Sequence, residues 1–304
     1  MENQKKITPL VVFSLAAVYV IWSFTYLAIK ICVSEIPPFI MNSVRFITAG
    51  GLMLAFVFVT DRKSMPTMKQ LAYSSITGAL MFMGGTGFVA LAMQTGVGSG
   101  LSAVAIAAVT IWAAVIGGFF GKKSSRFEWA GVALGFAGII ILKRESDFMG
   151  NTAGMVFLLL APFLWALGSF LVKKLEIPGG IAGNGSQMLM GGITIIPAAL
   201  LTGEKMTALP GAPAVLSLLF LIFFGSIAGF TAYMYLFKHT SPALATSYSY
   251  VNPFGAVLIG VIAAGETIGG HGIAALFLVV AGIGLIIFSS GRKQVVKQTF
   301  NING

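Results

Sequence analysis

The sequence predicts an all-α membrane protein of ten transmembrane helices, arranged as two inverted five-helix repeats. Three observations carry that expectation. The 304-residue chain is 57% hydrophobic and only 9% charged, against about 25% charged in ordinary soluble domains, too few charges to keep the surface of a soluble fold wet. Apolar runs recur along the whole chain, each long enough to cross a bilayer as a helix. The second half of the chain also repeats features of the first at a nearly constant displacement.

The spans fall at roughly 9–30, 38–60, 70–94, 98–119, 126–143, 151–174, 182–203, 213–237, 241–264 and 268–290. The first follows Lys5 and Lys6 with no small-residue cleavage site, so it reads as a retained span and not a signal peptide. An even number of spans places both termini on one side. With a cytoplasmic N-terminus, the inner segments hold fourteen basic residues: Lys5, Lys6, Arg62, Lys63, Lys69, Lys122, Lys123, Arg126, Lys173, Lys174, Lys238, Arg292, Lys293 and Lys297. The outer segments hold four, Lys30, Lys143, Arg144 and Lys205, and Arg45 lies within a span. That bias in short loops predicts cytoplasmic termini. The net charge of +10 therefore reports orientation and not a nucleic-acid partner. The single cysteine, Cys32, excludes an internal disulfide.

The repeat is read from three pairs. "WSFTYLAIK" (22–30) matches "WALGSFLVK" (165–173), each with Trp and Lys eight apart, at a displacement of 143. "NSVRFITAGG" (42–51) matches "NGSQMLMGG" (184–192), aligning Asn42 with Asn184 and Arg45 with Gln187 at a displacement of 142. Ala137-Gly138 matches Ala281-Gly282 at 144. The units are then 1–145 and 146–304, the second including a cytoplasmic tail. Each has five spans, an odd number, so the second enters the membrane the opposite way up. Many secondary transporters use this arrangement for alternating access around a midplane site.

Candidate site residues come from polar and aromatic groups inside spans. In "SYSYVNPFGAVLIG" (247–260), Thr246, Ser247, Tyr248, Ser249, Tyr250 and Asn252 surround the helix at 100° per residue, so its first half is expected to be shielded from lipid. Pro253 removes one backbone hydrogen bond at midplane depth and frees a carbonyl. Tyr250 and Asn252 are read as cavity-lining and the serines as interhelical glue. Arg45, about 10 Å from the outer end of its span, has two readings. It snorkels to the outer headgroups, or it faces a cavity, where it meets an anionic substrate group or caps helix carbonyls. Its repeat partner Gln187 is uncharged, which makes such a cavity electrostatically asymmetric.

Trp22 and Trp165 occupy equivalent repeat positions and, with Tyr26 and Asn42, join the candidate cavity residues. Trp112 reads as core packing. Gly131, Gly135 and Gly138 form a close-packing seam. His239 and His271 sit at span ends, solvated. Both aspartates, Asp61 and Asp147, are in loops, and no glutamate is buried mid-span; Glu266, at the outer end of span nine, comes nearest. The chain lacks an HExxH motif, a paired-aspartate metal site, a Ser/His constellation and a phosphate-cradling loop. An enzyme is not expected, nor a cofactor or metal.

"SPALATSYSYVNPFGAVLIGVIAAGETI" (241–268), "WSFTYLAIK" and "PPFIMNSVRFITAGGLML" (37–54) resemble EamA-family proteins of the drug/metabolite transporter superfamily, and the resemblance covers nearly the whole chain. It implies a ten-helix bacterial inner-membrane transporter, often an exporter of amino acids or other small metabolites. The cavity would lie between the halves, with spans three, four, eight and nine around it. By position, Arg45, Asn252, Pro253 and Glu266 fall on residues typical of the family, Pro253 and Glu266 in structural or hinge roles. The family's first-half proline is replaced near Thr110 and its glutamate near Lys122 or Lys123, which implies a straighter fourth span; the family's Trp-Gly is Trp22-Ser23 here.

The resulting expectation is a secondary transporter or facilitator for a small organic metabolite, an amino acid or related compound, with export favoured. A multidrug exporter and a non-transporting sensor or scaffold are the alternatives. The expected partners are the small-molecule substrate and the lipid bilayer, with no nucleic acid; monomer and homodimer both stay open.

Overall fold

Without water in the hydrocarbon layer, a crossing segment has to bond its own backbone, and a helix is the local way to do so. The computed structural model describes residues 8–120, 125–149, 151–240, 244 and 247–301, and its regular elements there are helical. They are α1 (Pro9–Val33), α2 (Pro38–Thr60), α3 (Met68–Gln94), α4 (Ser99–Phe119), α5 (Arg126–Leu142), α6 (Thr152–Val172), α7 (Gly180–Leu201), α8 (Ala212–Leu236), α9 (Tyr248–Ala264) and α10 (Gly270–Asn301). Lys5, Lys6, Lys122, Lys123 and Thr246 lie outside the described residues.

Among the described residues, seven helices are long and apolar enough to cross a bilayer: α1, α2, α3, α4, α6, α8 and the apolar part of α10, Gly270–Phe288. The chain is thus a multi-pass helical membrane protein. The other three expected spans differ for stated reasons. Helix α9 is apolar but only 17 residues long. Helix α5 has 17 residues and begins with Arg126 and Glu128. Helix α7 is 22 residues long, but it dilutes its apolar surface with glycines, Asn184, Ser186, Gln187 and Thr194.

Helices α5 and α7 each lie along a partner. Gly131 and Gly138 of α5 face α10 at Gly282, Val279 and Ala275, a Cβ at Gly282 would meet the Gly135 backbone while Gly135 itself faces Ile111 of α4, and Gly50 of α2 meets the α7 backbone at Gly185 and Leu189. Small residues bring helix backbones close enough for extensive dispersion contact, the main attraction between helices in lipid. The neighbour pattern has a regularity. Helices α2 and α7, α4 and α9, and α5 and α10 pack as pairs. The contact of α1 with α8 is matched by α6 with α3, α1 with α9 by α6 with α4, and α2 with α8 by α7 with α3.

Among the described residues, two π stretches, one tightened turn and three internal prolines, Pro162 of α6, Pro197 of α7 and Pro253 of α9, interrupt regular α geometry. Helix α3 is π-helical over Ala79–Gly87 and α8 over Leu221–Ala228. The two stretches begin 142 residues apart, the displacement of the sequence repeat. Helix α9 carries Pro253 within an unbroken run. Helix α4, expected to be straight for want of a proline, is broken at Ala107-Ala108. There the amides of Ala108 and Thr110 bond back three residues, to Ala105 and Ala107, a tightened turn that the small alanines admit.

At one end of the bundle, carboxylates cap helix N-termini supplied by distant loops. Glu204 accepts from the amides of Phe39 and Ile40, Glu35 from Gly211, Glu145 from Gly269 and Gly272, and Asp147 from Gly98. Glu266 accepts from Ser99 and Gly100 at 2.7 and 3.0 Å and pairs with Lys30 at 2.8 Å. Each carboxylate offsets the positive end of a helix dipole and bonds amides that have no partner within their helix. Each also joins the part of the chain before residue 146 to the part after it. At the opposite end the caps are local: Thr67 with Gln70, and Ser125 with Glu128. The Lys69–Glu176 pair there, at 2.9 Å, is exposed.

Burial pushes the Glu266 carboxyl up, but the Gly100 and Ser99 amides and the Lys30 ammonium outweigh it and hold it below its ordinary value of 4.5. Its contribution to stability is therefore complete above about pH 4.5 and is lost as pH falls through the folded-state value. Thermal unfolding in detergent between about pH 6 and pH 3.5 should lower the Tm of the parent protein more than that of Glu266→Gln. Equal losses in the two proteins would contradict this account of the cap.

Candidate functional site

The π turns of α3 and α8, the tightened turn of α4 and the Pro253 region of α9 border a cavity of about 140 Å³. Its wall takes Trp22, Thr25, Tyr26 and Ile29 from α1, Arg45 from α2, and Gly85 and Thr86 from the π turn of α3. Thr110 follows the break in α4, Trp165 comes from α6, Gly225 from the π turn of α8, and Tyr248, Ser249, Asn252 and Pro253 from α9. A π turn widens the backbone and leaves carbonyls without regular partners. One such carbonyl is used at once: Trp22 Nε1 donates to Gly225 O at 3.2 Å.

The two tryptophans are seated by equivalent means. Trp22 of α1 lies on the α8 π region, where a Cβ at Gly229 would stand 2.4 Å from its Nε1. Trp165 of α6 lies on the α3 π turn, where a Cβ at Gly85 would stand 2.6 Å from its ring. Only glycine admits either ring. Trp22 meets Tyr248 edge-on at 4.7 Å between centroids and Phe230 at 5.4 Å; Phe82 stands between Phe230 and Trp165, at 6.5 and 6.0 Å. Aromatic edges and faces therefore line much of the site.

Arg45 is the charged residue in this wall. It is 4% exposed, so it does not reach solvent as a snorkelling side chain would. Its Nε donates to Ser226 Oγ at 3.0 Å, and its guanidinium carbon lies 4.7 Å from the Phe46 ring centroid. Nη1 is buried without an acceptor. Asn252, also buried, leaves Oδ1 without a donor.

The remaining sequence candidates lie elsewhere. Asn42 and Gln187 are buried on α2 and α7, where each amide nitrogen bonds a carbonyl of its own helix, Pro38 O and Gly183 O. Such back-bonding satisfies the amide nitrogens; Asn42 Oδ1 and Gln187 Oε1 are buried without a donor, as Asn252 Oδ1 is, but unlike Asn252 neither residue lies in the cavity wall. Tyr250 packs into the core and not on the cavity. At 100° per residue, Tyr248, Asn252, Ser249 and Pro253 span about 140° of α9, and Tyr250 falls outside that arc. Tyr248 and Ser249 thus take the place in the wall that the sequence reading gave to Tyr250. Glu266 sits at the capped end, away from the cavity wall. Trp112 packs edge-on with Phe136 and Phe163, and His239 and His271 are exposed. Among the described residues, no group of three or more His, Cys, Asp or Glu is placed to hold a metal.

The model of the EamA-like transporter family matches the chain twice, over residues 9–144 and 152–288. An Escherichia coli (strain K12) protein named as an uncharacterized inner membrane transporter, YedA, is 40% identical over 255 residues, covering 84% of this chain and 83% of that one. A Salmonella typhimurium protein named as a probable amino-acid metabolite efflux pump is 24% identical over 92% of this chain and 95% of its own. A crystal structure with 15% identity superposes with a TM-score of 0.64, over 90% of this chain and 95% of that one, and so shares the fold. These two curated relatives are named as a transporter and an efflux pump, not as enzymes.

If the tryptophan seats shape the cavity, Gly229→Ala should push Trp22 off the Gly225 carbonyl. Overpacking of this kind costs about 1–3 kcal/mol, enough to lower both the Tm and cavity-dependent ligand binding. Gly284→Ala, where a Cβ meets nothing within 4 Å, is the control and should leave both near the parent values. A Gly229→Ala protein that matches Gly284→Ala in Tm and binding would contradict the seat.

Proposed function

The chain belongs to the EamA-like transporter family, and we propose that it carries a small organic metabolite, an amino acid or related compound, across a bacterial inner membrane through the cavity between α1, α2, α3, α4, α6, α8 and α9. The observation that carries this reading is the convergence of both π turns, the tightened turn of α4 and Pro253 of α9 on one polar and aromatic cavity. Irregular backbone at membrane depth is tolerated where it is buried in protein or lines a cavity. Broken helices around a midplane site are the usual build of secondary transporters.

The mechanism we favour is alternating access by two inverted five-helix units, 1–145 and 146–304, with ten helices crossing. Three observations support it. The contacts of α1 with α8 and α9 and of α2 with α8 have counterparts in those of α6 with α3 and α4 and of α7 with α3, as a pseudo-two-fold axis would require. The π turns recur at the repeat displacement. The family model matches once in each half. Helices α5 and α7 each pack one face, against α10 and α2 respectively, and carry exposed apolar side chains on the other, such as Trp129 and Ile140 of α5 and Ile193 and Ile196 of α7, as crossing helices at the rim of a bundle would. With both termini cytoplasmic, as the basic residues favour, the carboxylate-capped end faces outward. Opening that end would part caps that all join one unit to the other, so those caps hold it shut in this state. Metabolite-sized transport fits better than multidrug export, because drug-sized ligands take pockets of about 300–1,000 Å³. Export is favoured by the resemblance and by the efflux-pump relative.

Two experiments test the reading. Purified protein in liposomes should move at least one member of a panel of small metabolites faster than empty liposomes do; no flux for any would favour a sensor or scaffold. In a Cys32→Ser background, single cysteines at the exposed Glu176 and Leu209 should label from opposite faces of the membrane. Labelling of both from one face would overturn the topology and the inverted repeat with it.

A further inference from the structure

Among the residues that wall the cavity, Arg45 is cationic and none is Asp or Glu. Arg45 takes part in neither the Lys30–Glu266 nor the Lys69–Glu176 ion pair. A guanidinium has five N–H donors in a planar fork and does not lose its charge in proteins. Here Ser226 engages Nε, the Phe46 ring flanks the plane, and Nη1 finds no acceptor. A buried cation without a counter-ion is costly, and such charges in membrane spans mark ligand paths. The missing partner is an anion. Asn252 adds a second unmet need, an amide oxygen that lacks a donor.

Size and charge narrow the anion further. A cavity of about 140 Å³ is close to the roughly 150 Å³ that takes one benzene-sized body. Phosphate esters carry about −1.5 to −2 charges at neutral pH, more than one guanidinium offsets. A carboxylate carries one and matches the guanidinium fork. The ammonium of an amino acid would find no carboxylate in the wall and would share the cavity with Arg45. A hydroxyl supplies the donor that Asn252 lacks without adding charge. Trp22, Tyr26, Tyr248 and Trp165 suit a compact apolar body.

Resting on the cavity as the transport site, we propose that its substrate class is a small monocarboxylate, such as a 2-hydroxy acid with a short apolar body, with Arg45 as the carboxylate receptor and Asn252 as the acceptor for its hydroxyl. The anionic acid is preferred over the corresponding amino acid, and both over the neutral amide.

The test uses three compounds of one shape, 2-hydroxyisovalerate, valine and 2-hydroxyisovaleramide, titrated against the purified full-length protein in detergent by calorimetry. The acid should bind at least about tenfold more tightly than the amide, as expected for one charge-assisted hydrogen bond or more, with valine between them. Arg45→Lys should keep part of the preference for the acid, and Arg45→Gln should abolish it. The ligand series on the parent protein keeps the test valid if either variant folds poorly. Equal affinity for acid and amide, tighter binding of valine than of the acid, or no binding of any would each overturn the proposal. Ala107→Trp, which fills the cavity, separates this failure from failure of the transport site. If that variant still moves the metabolites that the parent protein moves, the cavity itself is not the path. If it stops them while acid and amide bind alike, only the carboxylate inference falls.

Discussion

The need to satisfy every backbone hydrogen bond away from water governs this structure. It explains why the regular elements are helical, and it gives weight to the places where a helix is imperfect. The π turns of α3 and α8, the tightened turn of α4 and Pro253 of α9 each leave backbone groups with altered partners. In lipid such groups would be expensive. Here α3, α4, α8 and α9 each contribute to the cavity wall, where side chains such as Trp22 take up a backbone carbonyl; Pro197 of α7 lies outside it. The cavity and the irregularities are one feature seen from two sides: wide turns make room for the tryptophans, and the tryptophans and glycines keep the turns protected.

The same constraint acts at the helix ends, where amides have no partner within their own helix. The chain has only nine acidic residues, and five of them cap helix N-termini at one end of the bundle. These caps reach across the two halves of the chain. At the opposite end, Thr67 and Ser125 cap their own helices, which ties no distant segments together. An asymmetry in the charge inventory thus becomes an asymmetry in how firmly the two ends are joined.

Much of this was legible in composition and spacing. The polar run before Pro253 marked α9 as a shielded helix, and the repeat placed Trp22 and Trp165 in equivalent positions. The facing of α9 was not legible: its polar residues surround the helix, so composition could not choose between Tyr248 and Tyr250, and packing against α1 and α4 decided it. Asn42 and Gln187 looked like cavity groups because they are polar within spans, but each finds a carbonyl on its own helix. The break in α4 was missed because it arises from small alanines and tightened hydrogen bonds, with no proline to announce it. The π turns had a signal that went unread: "MGGTG" (83–87) and "FGSIAG" (224–229) put glycines in matching parts of the two halves.

The central claim is that the irregular helices open onto a path for solute. Its most direct test is the reactivity of single cysteines in a Cys32→Ser background, placed at Thr86 in the π turn of α3 and at Thr110 beyond the break of α4, with Leu258 on the exposed side of α9 as the lipid-facing control. A small charged thiol reagent should modify the cysteines at Thr86 and Thr110 in membranes, and a transported metabolite should slow both reactions while the control stays unreactive. Reaction at neither cavity position, or reaction that no transported metabolite slows, would contradict it.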